Sequence, residues 1–271
     1  MTKLSVIVTT YNEEKNIRDL MDSLIVQEDI YEIIVVDSKS TDRTPEILKE
    51  YEEAFGDKVH IYMKRSSRGE GRNYGVQKSS GDYVAFIDAD CIANPFWARK
   101  LVEDAEKGHK IVAGRVINIG YRPFEELERV ELYVRGYDVT CPSNNLMYEK
   151  ELFMSLGGFD PWFITAEDID LNYRAVKSGA EIHYDPEAIV YHRTRDSVIA
   201  FLKQAFWNGF GRKQLTLKHG SLWSHYSLKK MFNTQISFWG VVRLSVALLG
   251  YVACMIKWKE YPGKISVVEY R

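Results

Sequence analysis

Short apolar runs alternate with segments of helical period from Leu4 to about His192, and this alternation constrains the fold more than any other feature of the chain. Strands buried on both faces of a parallel sheet are continuously apolar, and the connections between them need crossovers that are usually helical. We therefore predict an α/β protein with a Rossmann-like, mostly parallel sheet flanked by helices. The predicted strands are Leu4 to Thr9, Glu32 to Val36, Val59 to Met63, Tyr83 to Ile87 and Ile111 to Ile117.

Two predicted helices open with a capping residue followed by proline, a combination that favours the first helical turn. They begin at Thr44-Pro45 and at Asn94-Pro95. Beyond residue 117 the pattern loosens and indicates a second layer built on the same sheet. Its predicted elements are a helix over 124–136, a strand near 145–148 and a helix over 166–178.

The charge distribution separates the end of the chain from the rest. Residues 1–196 carry 25 basic and 36 acidic side chains, whereas residues 197–271 carry 11 and 2. A basic tail on an acidic body predicts an anionic surface as partner. The whole-chain net charge of −2 disfavours a nucleic-acid-coating protein.

Residues 236–256 are 21 positions with a single charge, Arg243, which is long enough to cross a bilayer. The uninterrupted apolar part covers only Leu244 to Ile256, and an arginine within a span costs about 2.5–3.5 kcal/mol if it is central. A membrane span, an in-plane or re-entrant segment and a helix buried against the body are all open. The neighbouring basic and aromatic residues favour membrane contact.

The cysteines and the N-terminus bear on the compartment. Cys91, Cys141 and Cys254 are too few and too scattered for a disulfide framework, so they fit a reducing environment. The first residues lack the basic and long apolar regions of a signal peptide. We therefore expect the protein at the cytoplasmic face of the cell membrane, as a peripheral protein or with one C-terminal membrane segment.

Polar side chains follow three of the predicted strands directly. In open parallel sheets, ligands bind beyond the carboxyl ends of the strands. A carboxylate there can accept a hydrogen bond from a ribose hydroxyl or a base N–H, and a tyrosine can stack on a base. Each residue alone is typical of a loop cap, but together they predict a ligand site. They are Thr9, Tyr11 and Glu13 after the first strand, Asp37 after the second, and Asp88, Ala89 and Asp90 after the fourth.

Asp88 and Asp90 are the most specific of these signals. Two carboxylates one residue apart after a buried strand can hold a hard divalent cation, Mn²⁺ or Mg²⁺, which in turn binds a diphosphate. His192 follows another apolar run, Ala188 to Tyr191. It is a candidate third ligand because imidazole also suits Mn²⁺, and a structural role is equally open.

The segment Gly69 to Gly75 could be mistaken for a dinucleotide-binding fingerprint. Its third glycine comes one residue too late and it follows the third strand, so a Rossmann dehydrogenase is disfavoured. We interpret it as a basic, glycine-rich turn before a short helix over 72–79. Arg65, Arg68 and Arg72 would then be available to a nucleotide or its phosphates.

A second acidic cluster, Ala166 to Leu171, follows the turn Gly157 to Asp160. Glu167 and Asp168 lie in the first turn of the predicted helix, and one of them could act as a general base. The alternative is an acidic helix start that stabilises the helix dipole.

Taken in order, these segments resemble the family 2 glycosyltransferases, nucleotide-sugar-dependent enzymes of the GT-A fold. The resemblance covers roughly residues 4–195. It implies base contacts from Thr9, Tyr11, Asp37 and Arg68, a ribose or metal role for Asp88, metal binding by Asp90, and Asp168 as the catalytic base. The matching segments are Ser5 to Glu13, Ile34 to Ser38, Ser40 to Asp42, Gly71 to Asn73 with Gly75, Asp82 to Asp90, Gly157 to Asp160, and Glu167-Asp168.

The implied activity is metal-dependent, inverting transfer of a sugar from a nucleotide diphosphate donor, with a UDP-sugar favoured, to a hydroxyl of a glycan or lipid-linked acceptor. Gln204 to Asn208 keeps only part of the Gln-x-x-Arg-Trp segment of processive synthases, which favours transfer of single sugars. Arg193, Arg195, Arg212 and Lys213 could close over donor or lipid phosphates, or form a solvated basic face. The implied divisions are a catalytic domain over 1–196, with a nucleotide-binding half (1–117) and an acceptor half (118–196), and a membrane-associated helical tail over 197–271.

Two other functions are open. A nucleotidyltransferase that forms nucleotide sugars uses a related sheet, but it would usually carry a longer glycine- and arginine-rich loop after the first strand. A non-catalytic nucleotide-binding scaffold could keep the same fold. The presence of Asp88, Asp90 and Asp168 together disfavours the scaffold.

Overall fold

The computed structural model describes residues 2–120, 127, 129–194, 197–226 and 237–263. Its strands are β1 (Leu4–Thr10), β2 (Ile30–Asp37), β3 (Val59–Met63), β4 (Tyr83–Asp88), β5 (Cys91–Ala93), β6 (Ile111–Ile119), β7 (Tyr133–Val134), β8 (Tyr137–Asp138), β9 (Leu146–Glu149) and β10 (His183–Arg193). Its α-helices are α1 (Ile17–Ile25), α2 (Thr44–Phe55), α3 (Arg68–Lys78), α4 (Trp97–Glu106), α5 (Lys150–Ser155), α6 (Glu167–Lys177), α7 (Val198–His219) and α8 (Phe238–Lys257).

Eight strands form one sheet in the order β3-β2-β1-β4-β9-β6-β10-β5. The first four are mutually parallel, and β6 is parallel to β10. β9 is antiparallel to both of its neighbours, and β5 is antiparallel to β10 at the edge. The predicted α/β class with a mostly parallel sheet is confirmed.

Helices cover both faces of the sheet because side chains along a strand point alternately to opposite faces. Val6 and Val8 pack into a core shared with α1, α2 and α4. Ile7, between them, packs into a second core, to which α3, α5 and α6 contribute. The five predicted strands are all present, with ends that differ by at most two residues.

The second half of the chain does not form a separate layer. β9 lies between β4 and β6, and β10 lies between β6 and β5, so the sheet runs continuously past residue 117. The strand predicted near 145–148 is present as β9, but its place between β4 and β6 depends on pairing with distant strands, which a local sequence pattern does not reveal. The expected second layer is therefore a continuation of the same sheet.

The predicted helix over 124–136 is wrong in its described part, where β7 and β8 form a hairpin. The turn residues Arg135 and Gly136 have positive φ angles of 50° and 88°. Two successive positive φ angles are the signature of the tight turn that suits a two-residue hairpin. Positions 124–126 and 128 of that prediction lie outside the described residues.

Both predicted helix caps are displaced. α2 begins at Thr44 itself, and the Thr44 hydroxyl accepts a hydrogen bond from the backbone N–H of Glu13 at 2.8 Å. α4 begins at Trp97, and the Asn94 side chain accepts from the backbone N–H of Phe96 at 3.1 Å. The Asn94 side chain therefore stabilises the turn that leads into α4, whereas the Thr44 side chain ties the start of α2 to the loop after β1.

α7 and α8 are in close contact and run antiparallel. Gly209 lies opposite Ala247 and Gly250 lies opposite Phe206, so a Cβ atom at Gly209 would come within 1.7 Å of the Ala247 carbonyl oxygen. Small residues at such positions let helix backbones approach closely. In the described part of the chain, α8 is the one helix long and apolar enough to cross a membrane, with 17% of its most apolar stretch buried.

Candidate active site

The parallel register of β1 with its two neighbours aligns polar residues at the carboxyl edge of the sheet. Thr10 pairs with Asp37 on β2, and Thr9 pairs with Asp88 on β4. Neighbouring strands lie about 4.7–4.9 Å apart, so these residues form one row. Tyr11 follows the row and is 58% exposed. The structure thus brings together the predicted nucleotide-binding residues of three separate strands.

Hydrogen bonds hold this edge in place. The Asp37 carboxylate is buried and accepts from the backbone N–H and the hydroxyl of Ser40, at 2.8 and 2.6 Å. The Glu13 carboxylate accepts from the Asn16 amide at 2.7 Å. Ala89 is buried, between two carboxylates that line a cleft. The roles of these residues toward a nucleotide stay predictions.

Arg72 is a fully buried cation that joins two halves of the site. Its guanidinium donates to the Asp88 carboxylate at 2.5 Å and to the Glu167 carboxylate at 2.9 Å. Burial alone would lower the pKa of Arg72, but the charges of Asp88 and Glu167 raise it above its usual value. Burial likewise would raise the pKa of Asp88, yet Arg72 and Arg68 hold it below the ordinary value. Both groups are therefore charged at neutral pH.

The glycine-rich segment that carries Arg72 is a helix and not a turn, which corrects the prediction. α3 begins at Arg68, four residues earlier than expected, and Ser67 and Glu70 form a reciprocal capping box at its start. Gly75 faces β1, where a Cβ atom would come within 2.6 Å of Ile7. The glycine therefore allows the helix to pack closely on the sheet, which buries Arg72 beneath it.

Three acidic residues at the start of α6 differ in their hydrogen-bond and ion-pair partners. Asp170 is buried and bonded to Arg174, Lys218 and His219. Glu167 is held by Arg72, with Arg68 3.8 Å away. The recorded partners of Asp168 are two backbone N–H groups, of Ser143 at 3.1 Å and Ile169 at 2.8 Å. Among the described residues, Asp168 is therefore the acidic residue of this cluster without an ion pair.

The surroundings of Asp168 favour its protonated form. Burial and the charge of Glu167 raise the pKa of the Asp168 carboxyl, although the Ser143 N–H and Arg72 oppose the shift. A raised carboxyl pKa makes a better proton acceptor near neutral pH. The preceding Ala166 has a left-handed φ of 67°, a strained conformation for alanine that is common at functional sites.

His192 lies beside Asp90 because β5 folds back along β10. His192 pairs with Cys91, the residue that follows Asp90, and its Nε2 lies 3.7 Å from Asp90 Oδ2. The His192 Nδ1 lies 3.1 Å from the Asn118 amide oxygen, a contact that favours the tautomer with the proton on Nδ1. In the neutral ring the Nε2 lone pair then faces a carboxylate oxygen, an arrangement that a shared cation would satisfy.

These groups fit a hard divalent ion such as Mn²⁺. Asp90 and His192 supply a carboxylate and an imidazole of suitable chemistry. Arg72 already binds one oxygen of Asp88, so Asp88 could offer only its other oxygen. Metal binding at this site stays a prediction.

Another group that could hold a cation lies elsewhere. Asp104, His109 and His183 have potential ligand atoms within 4.8 Å of one another. They lie where β6 and β10 begin, whereas Asn118 and His192 lie near the other ends of these strands. A strand rises about 3.3 Å per residue, so the two places are roughly 20–30 Å apart. This group therefore has no bearing on a metal ion at Asp90.

A cleft of about 1320 Å³ contains the carboxylates on one side and the C-terminal helices on the other. Asp88, Asp90 and Asp168 all line it. The opposite wall includes Gln204 and Asn208 of α7 and Arg243 of α8. Sequence reasoning missed these three as site residues. The one available signal was that Arg243 is the only charge in an otherwise apolar segment.

α7 also contacts the segment that leads into the acidic helix start. The Thr165 hydroxyl donates to the Trp207 carbonyl at 2.7 Å, and Gln214 bonds to the backbone of Trp162 and Ile164. The C-terminal helices thus form one wall of the cleft. Arg212 and Lys213 lie on α7 as well, and Arg193 bonds to Asn16 and Asp19, whereas Arg195 lies outside the described residues.

The arrangement of strands, carboxylates and cleft matches known proteins. The family profile described as Glycosyl transferase family 2 matches residues 5–157, more than half of the chain. The chain belongs to glycosyltransferase family 2. This family 2 glycosyltransferase is therefore an enzyme that transfers sugars, and the nucleotidyltransferase and scaffold alternatives are set aside.

Curated relatives agree with that membership. Glycosyltransferase AglE of Haloferax volcanii is 28% identical over 227 residues, covering 78% of this chain and 73% of the relative. A dolichyl N-acetyl-α-D-glucosaminyl phosphate 3-β-D-2,3-diacetamido-2,3-dideoxy-β-D-glucuronosyltransferase of Methanococcus voltae is 26% identical over 247 residues, covering 81% and 75%.

Solved structures show the shared fold. TarS of Staphylococcus aureus, in complex with UDP-GlcNAc, has a TM-score of 0.63 at 19% identity. The match covers 93% of this chain and 81% of the TarS chain. The mannosyltransferase PcManGT of Pyrobaculum calidifontis, in complex with GDP-Man and Mn²⁺, has a TM-score of 0.66 at 18% identity and covers 95% and 76%. The predicted GT-A fold is confirmed.

Proposed function

We propose that this family 2 glycosyltransferase is a metal-dependent, inverting enzyme that moves a sugar from a UDP-sugar to a hydroxyl of a glycan or lipid-linked acceptor at a membrane surface. One observation carries the proposal. Asp168, which has no ion pair among the described residues, lines the same cleft as Asp88 and Asp90. A proton acceptor and a candidate cation site thus face one substrate-sized space.

Asp168 is proposed as the base that takes the proton of the acceptor hydroxyl as the oxygen attacks the sugar. In an inverting transfer this attack comes from the face opposite the leaving diphosphate, so the base and the diphosphate site belong on different sides of the sugar. The location of Asp168 on α6 and of Asp90 after β4, on separate elements that line one cleft, supports this assignment. Glu167 is the weaker candidate because its carboxylate is bound to Arg72 at 2.9 Å.

Arg72 is proposed to hold the site together. By binding Asp88 and Glu167 it fixes the row of nucleotide-binding strand ends relative to the start of α6. Such fixed positioning of reacting groups lowers the entropic part of the barrier. Nucleotide contacts are proposed for Thr9, Tyr11, Asp37 and Arg68.

A divalent ion, when bound, would neutralise the charge that develops on the leaving diphosphate. Asp90 and His192 would hold it, with the second oxygen of Asp88. The Mn²⁺ complex of PcManGT supports this assignment, and the UDP-GlcNAc complex of TarS supports a UDP-sugar donor. The Methanococcus voltae relative, which by its name acts on a dolichyl-linked phosphate sugar, supports a lipid-linked acceptor.

Membrane contact is proposed through α8, lying in the plane of the membrane surface. α7 binds the catalytic body through Thr165 and Gln214, and α8 runs antiparallel along α7, so α8 cannot project away from the body without leaving α7. A helix with one exposed apolar face and basic neighbours is typical of an interfacial helix. The most exposed apolar residues of α8 are Phe238, Leu248, Leu249 and Ile256.

Calorimetry of the purified full chain tests the donor and metal assignments. UDP, GDP and their sugars are titrated with and without Mn²⁺, and Asp90→Ala is compared with Glu53→Ala, a control at an exposed helix position. We expect UDP binding that needs Mn²⁺ and is lost in Asp90→Ala alone. Binding that is absent, or that is indifferent to both Mn²⁺ and Asp90→Ala, would contradict the proposal. The anomeric configuration of the product, read by NMR, tests inversion.

A further inference from the structure

A small pocket opens beside the proposed metal residues, between β10 and the two C-terminal helices. Its volume is about 160 Å³, well below the roughly 300–1000 Å³ of pockets that enclose whole small molecules. It can therefore hold one chemical group of a larger ligand. The polar residues that line it are Asn118, His192, Thr194, Gln204, Asn208 and Arg243.

Among the described residues, the lining of this pocket carries a positive charge. Arg243 is its one formally charged lining residue, and no Asp or Glu of the described residues lines it. The pocket opens onto the larger cleft, with which it shares Asn118, His192, Gln204, Asn208 and Arg243. At this opening the Nε2 edge of His192 faces Asp90 and its Nδ1 edge faces Asn118. His192 therefore lies between an acidic region and a basic pocket. This arrangement is suited to a ligand in which an anionic group is next to the group that the metal ion binds.

Arg243 reaches the pocket from an unusual place. It is the one charge on α8 before the terminal Lys257, and the same helix exposes Leu248 and Leu249 on its surface. Close packing of Gly209 against Ala247 brings α8 near enough to α7 for Arg243 to join Gln204 and Asn208. α8 thus has an apolar surface on its exposed side and a guanidinium in the pocket. These two features together match an amphiphile with an anionic head group.

We propose that this pocket binds a phosphoryl group of a substrate and that Arg243 is the residue that recognises it. The inference rests on the proposed function, since the phosphoryl group is either the diphosphate of the donor or the phosphate of a lipid-linked acceptor. A guanidinium with amide and hydroxyl donors around it is suited to the several oxygens of a phosphate.

Binding measurements on the full chain test the proposal and separate the two sources. The probes are inorganic pyrophosphate, UDP with Mn²⁺, and phosphatidylcholine vesicles with or without a polyprenyl monophosphate. Arg243→Gln should weaken at least one phosphate-dependent interaction about tenfold or more, equivalent to ~1.4 kcal/mol. Asn208→Asp, which places a carboxylate at an exposed helix position in the pocket, should do the same.

Lys203→Gln is the matched control, because Lys203 is an exposed cation of α7 that does not line the pocket. It should change each affinity by less than about twofold. A loss confined to UDP and pyrophosphate identifies the donor diphosphate as the ligand, and a loss confined to polyprenyl phosphate vesicles identifies the acceptor.

The proposal is overturned if the wild type binds neither pyrophosphate nor the phosphate-bearing vesicles, or if folded Arg243→Gln and Asn208→Asp bind as the wild type does. Failure of the proposed function gives a different result. The wild type would then not bind UDP with Mn²⁺, while phosphate binding would still depend on Arg243.

Discussion

Replacement of Arg72 by methionine tests whether one buried cation holds the site together. Arg72→Met removes a guanidinium that lies 2.5 Å from Asp88 and 2.9 Å from Glu167, and it keeps a side chain of comparable length. Breaking a buried ion pair from one side costs about 3–5 kcal/mol, because a charge is left buried without compensation. Here two carboxylates lose their nearest partner, but Arg68 stays close to Glu167 and the Asp88 side chain is 26% exposed, so we expect a loss in the unfolding free energy within that range. Total stability is typically 5–15 kcal/mol, so the variant should still fold.

The pH dependence distinguishes a lost ion pair from lost packing. In the wild type the Asp88 pKa is below its unfolded value, so this group adds stability above the unfolded pKa, and that stability is lost as pH falls through the folded pKa. Without Arg72, burial should raise the pKa of Asp88, so the penalty of its buried charge exists at neutral pH and disappears as it protonates. The difference between variant and wild type should therefore shrink as pH falls through the ordinary carboxyl range near about pH 4, and it should vanish below the lowered Asp88 pKa of the wild type.

Urea unfolding of the full chain, followed by circular dichroism at neutral and acidic pH, measures both quantities. Arg99→Met is the matched control, because Arg99 is 55% exposed and lies 3.6 Å from Asp29. An exposed pair contributes about 0–1 kcal/mol, so this control should lose little. A loss below about 1 kcal/mol in Arg72→Met, or a loss of equal size at both pH values, would refute the ion-pair reasoning.

Three further predictions concern the base, its helix and the C-terminal helices. Asp168→Asn should lower kcat by about 10²–10⁴ with UDP binding unchanged, and wild-type turnover should fall as pH decreases through the raised Asp168 pKa; a profile that follows an ordinary aspartate would contradict this. The same variant should be at least as stable as the wild type in urea, since it removes a buried charge that the fold disfavours. Ala166→Gly should gain about 0.5 kcal/mol in urea unfolding, because relief of a left-handed alanine (about 1–2 kcal/mol) exceeds the entropic cost of glycine (about 0.5–1 kcal/mol). Gly209→Val should cost more than the 1–3 kcal/mol typical of overpacking and expose α8 to protease, since its Cβ would lie 1.7 Å from backbone; Leu248→Ala, on the exposed side, should leave the cleavage pattern unchanged.

Much of the framework could be predicted from local pattern. The apolar runs predict β1 to β4 and β6 because burial on both faces requires continuous hydrophobicity, and the polar residues that end three of them predict a site at one edge. Elements with weak local signals were missed. β5 has three residues, and the hairpin of β7 and β8 depends on two positive φ angles that the sequence pattern does not reveal.

The sequence by itself determined the α/β fold, its family and the set of acidic residues, because each depends on patterns within a few neighbouring positions. Only the tertiary structure distinguished the partners of the two acids at the start of α6. Glu167 and Asp168 are adjacent and chemically alike, and the difference arises from Arg72, 95 residues from Glu167 in the chain. Likewise, His192 meets Asp90 through β5, and Arg243 enters the cleft through the packing of α8 on α7. Charge and solvation depend on neighbours in space, and those neighbours are set only when the whole chain has folded.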